Sequence, residues 1–292
     1  MGGGSETCRV SLQALALLLC AAVLHAGWNW RLKRARQRSL VMAWALALSS
    51  IVALPALFWV PLPQGSQWFW VLASGALQAL YIVVLSKAYS VGDFSLVYPL
   101  ARGSAPLFLC LWSRLWLHEH ISPQGTLGIA VLSLGLALLA LPALAAGRVG
   151  SALPGLGWAL LVAVLISGYT AIDGRAVHLM STSSYFLAQW TLSALLVLPL
   201  LAWGQGWQAV LLGLRQEWPS VLLVGGGSAL AYFLALSAYR LSPVAYAGAV
   251  REVSVVLAAW MGWRWGHEGG GAARLMASCL VFVGIALMVA AR

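Results

Sequence analysis

Ten stretches of about 20 mostly apolar residues, separated by short polar breaks, run the length of the chain, and this succession constrains the fold more than any single motif. A helix needs about 20 such residues to cross the hydrocarbon core of a bilayer. The stretches lie near residues 11–30, 40–60, 68–88, 95–116, 123–142, 154–174, 184–203, 218–238, 243–263 and 272–290. Arg31 to Arg38 end the first, and Pro61 and Pro63 end the second. Gly92-Asp93, Ser122-Pro123, Gly147 to Gly150, Gly204 to Gly206 and Ser242-Pro243 mark other turns. Composition agrees, with 62% hydrophobic and 8% charged residues. Soluble domains run near 45–50% and about 25%. A closed barrel also satisfies every backbone group in lipid, but its strands alternate apolar and polar residues, and runs such as Leu12 to Ala26 do not. The expected fold is an all-α integral membrane protein with ten transmembrane helices and no soluble domain.

Several function classes drop out on this frame. The formal net charge of +10 is spread over short loops, where arginine is first a topology signal, so nucleic acid is not expected as a partner. Cys8, Cys20, Cys110 and Cys279 form no close pair and indicate neither a disulfide framework nor a metal site. His118-Glu119 and His267-Glu268 do not extend to the zinc motif His-Glu-x-x-His. Gly225 to Ser228 lacks the Lys-Ser or Lys-Thr of a phosphate loop, so ATP is not the expected energy source and no cofactor is implied. Met1 to Gln13 does not read as a cleaved signal peptide.

The chain repeats itself. Ala88-Tyr89 recurs as Ala238-Tyr239. Arg102 precedes Glu119 by 17 residues, and Arg251 precedes Glu268 by the same 17. Each acid follows a histidine. Two five-span units are therefore expected, 1–147 and 148–292. Five is odd, so the second unit must enter the membrane in the opposite sense. Inverted repeats are a transporter architecture with the substrate site near the midplane, at the repeat interface.

The residues that carry the repeat also resemble a known family. His25-Ala26-Gly27-Trp28-Asn29 in span one, Tyr98 to Pro106 in span four, His118-Glu119, Gly128 to Gly135, Arg251 to Ser254 and His267-Glu268 together look like an EamA-type member of the drug/metabolite transporter superfamily. The resemblance covers nearly the whole chain. It implies ten helices, a multi-pass place in a bacterial inner (plasma) membrane, and carriage of small metabolites or amino acids, often outward. The related small multidrug carriers exchange protons through a Glu in their first helix; this first span has no acid. Loops after odd-numbered spans hold the larger share of basic residues, which points to termini outside. The resemblance implies termini inside.

Ionisable groups inside spans are costly, roughly 2.5–3.5 kcal/mol on insertion scales, and usually face a bundle interior or a wet cavity. Arg102 and Arg251 each lie ~10 Å into their spans, from opposite faces. They can clamp a carboxylate or phosphate-like group, or pair with Glu252 and Asp173 and lock helices together. His25 and Asn29 share one face of span one beside Trp28. They can line a cavity, with His25 titrating, or make interhelical hydrogen bonds. Tyr169 and Asp173 occupy the corresponding face of span six. Asp173 is the candidate for proton coupling; the plainer reading is an end-of-helix residue near Arg175. Tyr81, Tyr98, Trp190, Glu252 and Tyr232 complete the candidate lining, with Gln78, Gln189 and Tyr246 also inside spans. Glu119 lies too far along its helix from Arg102 to share a site, so Glu119 and Glu268 read as gates or loop anchors. The leading expectation is a secondary carrier, an exporter of a small polar metabolite such as an amino acid or organic anion, with the bilayer, that solute and protons as partners. The competing readings are an intramembrane enzyme on a lipid-linked substrate and a non-transporting scaffold.

Overall fold

The computed structural model describes residues 10–91, 94–139, 149–266 and 271–291. Within them every regular element is helical. In chain order these are α1 (Leu12–Lys33), α2 (Arg38–Ala53) running on into a 3-10 turn (Leu54–Phe58), α3 (Gln67–Val91), α4 (Phe94–Leu115) and α5 (Pro123–Leu138). The second half holds α6 (Val149–Leu179), α7 (Thr182–Gln205), α8 (Trp207–Tyr239), α9 (Val244–Arg251), α10 (Val253–Gly266) and α11 (Gly271–Ala290). The last three make two crossings, because α9 and α10 are one span broken at Glu252. Ten membrane segments result, as two five-helix repeats. Among the described residues seven helices are long and apolar enough to cross a bilayer by length and composition alone, and Pro123–Leu138 and Leu275–Ala290 are shorter apolar helices.

Helix starts follow from local chemistry. Ser11, Ser122 and Ser181 each accept a hydrogen bond from a backbone N–H three residues on, capping α1, α5 and α7. Pro123 opens α5, where its missing N–H costs nothing. Gly206 supplies the positive φ of 85° that turns α7 into α8.

Some spans exceed their expected bounds. The sixth begins at Val149 and ends at Leu179, not at 154 and 174. The eighth was expected from 218, but helix starts at Trp207 and kinks at Glu217, whose backbone is non-helical (φ −117°, ψ 16°). Pro219 cannot continue the ladder, and the Glu217 carboxylate accepts from the Arg36 amide and the Ser220 hydroxyl, each at 2.9 Å. The expected boundary at 147/148 falls among residues 140–148, outside the described residues.

The two repeats interleave. α6 packs between α3 and α4, while α1 packs on α8 and on α9 and α10. Exchanging each span for its counterpart turns one set of contacts into the other. The clearest case is α5 against α11. A Cβ on Gly128 would lie 2.6 Å from the Gly284 carbonyl oxygen, and one on Gly135 would lie 2.9 Å from that of Ala277. The early residue of one helix meets the late residue of the other, so these corresponding helices run antiparallel and the halves are inverted. Small residues permit this backbone approach. Gly284→Ala would put a Cβ 2.5 Å from the Gly128 oxygen. It is expected to cost about 1–3 kcal/mol by overpacking, read as a lower Tm in detergent. Gly226→Ala, with nothing within 4 Å, is expected to leave Tm unchanged.

Candidate functional site

Four charged side chains are buried at the repeat interface: Arg102 on α4, Arg251 at the end of α9, Glu252 at the break, and Asp173 on α6. Arg102 and Glu252 form an ion pair, Nε to Oε2 at 2.7 Å, with side chains 7% and 2% exposed. Arg251 donates instead to the Tyr239 hydroxyl at 2.8 Å. Arg102 Nη2 and Arg251 Nε are buried donors without a hydrogen-bond partner, and the Thr170 and Ser254 hydroxyls are buried the same way. Two forked cations thus present free donors beside one carboxylate, a donor set suited to an anionic group.

Among the described residues Asp173 pairs with no arginine. It is fully buried, and three hydroxyls from three helices donate to it. Ser74 of α3 and Tyr185 of α7 reach Oδ1 at 2.6 and 2.5 Å, and Tyr232 of α8 reaches Oδ2 at 2.8 Å. This corrects two readings. Asp173 is six residues inside a helix that ends at Leu179, not at an exposed end. The lock of Arg251 onto Asp173 is replaced by separate hydroxyl partners for each, because Tyr239 and the cage of hydroxyls lie nearer.

The other candidates gather around these groups. His25 and Tyr81 are within electrostatic reach of both arginines, and Tyr98 of Arg102 and Glu252. The Tyr81 and Tyr169 rings meet edge to face, 5.9 Å apart. His25 and Trp28 are 4.6 Å apart in the same manner, and the Trp28 indole N–H is buried without a partner. The Asn29 amide donates to the His25 carbonyl at 2.8 Å on its own helix. Trp190 stacks on Phe186 and Tyr232 and donates to Ser49 at 2.8 Å, so it braces the Asp173 cage. Gln78, Gln189 and Ser193 form a separate hydrogen-bonded triad between α3 and α7.

Glu119 lies apart, in the turn between α4 and α5. Its carboxylate accepts from the Val244 and Ala245 amides, at 2.7 and 3.3 Å, and so caps α9. Burial pushes this carboxyl above its usual range, while the two amides oppose the shift. A cleft of about 530 Å³ opens there, lined by Arg114, His118, Glu119, His120, Ile121 and Ser122, with none of the buried arginines in its wall. Glu268 lies outside the described residues.

Sequence reasoning missed Tyr239, Tyr185 and Ser74. Both tyrosines fall at expected span edges, where the ring reads as an interface anchor. Tyr239 was visible only as half of a repeated Ala-Tyr pair.

The profile of the EamA-like transporter family matches residues 12–141 and 153–290. No curated protein matches the sequence. Among solved structures 28 chains match. One, described only as a crystal structure of a protein, superposes with a TM-score of 0.75 at 18% identity, over 94% of this chain and 95% of that one. At that identity the likeness speaks for the fold alone.

Proposed function

The chain belongs to the EamA-like transporter family, a family of membrane transporters rather than enzymes, and on that premise we propose that it carries a small anionic or zwitterionic metabolite, an organic acid or an amino acid. The reading goes on to alternating access, export and a bacterial inner membrane. One observation carries the substrate class: Arg102 and Arg251, both buried, hold guanidinium donors that no group among the described residues satisfies. A substrate carboxylate supplies acceptors for both and competes with Glu252 for Arg102. An ammonium group, where the substrate has one, turns toward Glu252. Tyr81, Tyr98, Tyr169, His25 and Trp28 form the surrounding wall in this proposal. Asp173 is the proton carrier: charged, it accepts three hydroxyl bonds; protonated, it donates one itself, so one of the three hydroxyls must turn from donor to acceptor, which changes how α6 is held to its neighbours.

The inverted halves give this site two exits. Each half can take the conformation of the other, closing one face as the opposite face opens.

The test is flux in proteoliposomes, with and without a proton gradient, over amino acids, organic acids, phosphorylated metabolites and organic cations. Saturable, gradient-dependent movement of acids or amino acids is expected. Saturable movement of organic cations alone would overturn the substrate class. Arg251→Gln removes one charge-assisted contact, worth about 1.5–3 kcal/mol, and is expected to raise KM roughly 10- to 150-fold for the same solute.

A further inference from the structure

We infer that Glu119 is the gate at the α4–α5 end of the molecule and, through α9, a positioning residue for Arg251. The inference rests on the carrier reading above and assigns how one face of that site is shut.

Three observations support it. First, the clamp joins the two repeats. Glu119 belongs to the first half, and the Val244 and Ala245 amides it binds open α9 of the second. A carboxylate at a helix N-terminus meets both the unpaired amides and the positive end of the helix dipole. Second, α9 is short. Its eight residues span ~12 Å, with the clamp at one end and Arg251 at the other. Every residue from Val244 to Arg251 is buried. Directly after Arg251 the helix breaks: the Glu252 amide bonds back to Ala249 and the Val255 amide to Glu252, tight turns rather than α-helical ones. A rod held at its outer end and jointed at its inner end transmits the state of the clamp to the guanidinium. Third, the surroundings are built for a seal that can part. Tyr246 adds a second latch, its hydroxyl accepting from the Ser122 amide at 3.2 Å. Its ring fills the space that a side chain on Gly125 would take, and Val244 likewise fills the space beside Gly174, the residue after Asp173. The cleft lined by Arg114 and His118 to Ser122 reaches the same carboxylate from outside. In this reading water and solute come up to Glu119 through that cleft and stop there.

In the closed state Glu119 and Tyr246 hold α9 against the α4–α5 turn. When the turn withdraws, the first turn of α9 becomes accessible and Arg251 shifts, so the binding site changes as its door opens.

The test places Ala245→Cys as reporter in the full-length chain in nanodiscs and follows its labelling by a water-soluble maleimide. The signal from native cysteines is subtracted using the parent chain. Ala245 is fully buried, so labelling is expected to be slow with Glu119 present. With Glu119→Gln, which loses the charge and one acceptor, the rate is expected to rise about 5- to 10-fold, as loss of a strong helix cap implies. Tyr246→Phe removes only the second latch and is expected to raise it about 2-fold. A purely structural clamp would lower Tm and leave labelling below Tm unchanged. Equal labelling rates with Glu119, Glu119→Gln and Tyr246→Phe would overturn the proposal, and if Glu119→Gln does not fold, Tyr246→Phe and Glu119→Asp decide it by the same comparison. Labelling needs no substrate. A failed gate therefore shows here, while a wrong substrate class shows only in the flux panel.

Discussion

Arg102→Met, with Glu252 left in place, is expected to cost about 3–5 kcal/mol of stability, because it strands a carboxylate in the dry interior. Glu252 is 2% exposed and its only ion-pair partner among the described residues is Arg102. Met fills much of the volume of the arginine stem, so packing alone does not explain such a loss. The double variant Arg102→Met, Glu252→Leu separates stability from function. Both charges go together, and replacing a buried pair by apolar groups is often neutral or stabilising by about 1–4 kcal/mol. Its Tm is expected to recover to the parent value, yet saturable flux is expected to stay absent. Thermal melts in detergent read the first quantity and proteoliposome flux the second. Recovery of both would show that Arg102 and Glu252 only lock helices.

The second large effect is expected at Asp173. Leucine there leaves the Ser74, Tyr185 and Tyr232 hydroxyls without their shared acceptor, and each orphaned buried hydroxyl costs about 1–3 kcal/mol. The variant is expected not to accumulate as a folded, monodisperse protein. Asparagine is the informative change. Its oxygen keeps two of the three hydroxyls, and Tyr232 can rotate to accept from its amide. Asp173→Asn is expected to fold, to exchange solute across the membrane when solute is present on both sides, and to lose net movement driven by a proton gradient. Full gradient-driven flux in Asp173→Asn would remove the carboxyl from the coupling step.

The ten spans were legible because lipid imposes one rule on every crossing helix, a run of apolar residues of fixed length, and each run ends in charge, proline or glycine. The repeat was legible because Arg102 and Arg251, with Glu119 and Glu268, are rare enough inside or beside apolar runs to be matched by eye. What could not be read was partnership. Asp173 is 99 residues from Ser74 and 59 from Tyr232, and no local pattern joins them. Tyr185 and Tyr239 stood at expected helix ends, where a tyrosine ordinarily faces headgroups. The joint at Glu252 carries neither proline nor glycine. Beside it, Arg251 and Glu252 find buried partners on two other helices, Tyr239 and Arg102, and no pattern in the span itself shows those partners. Glu217 shows the converse: the apolar run places the start of the eighth span at 218, whereas the helix begins at Trp207 and Glu217 sits at a kink within it, accepting from Ser220.

The seam between α5 and α11 has a consequence for heredity and stoichiometry. Gly128 meets Gly284 and Gly135 meets Ala277, so each helix offers the same two kinds of surface in reverse order. The seam thus joins two similar helices lying in opposite senses, each supplied by a different half of the chain. Joining both orientations in one peptide holds them at one to one in every molecule made, whatever the accuracy of insertion. It also lets the two halves differ in sequence, and they do: span six carries Asp173, while span one carries no acid.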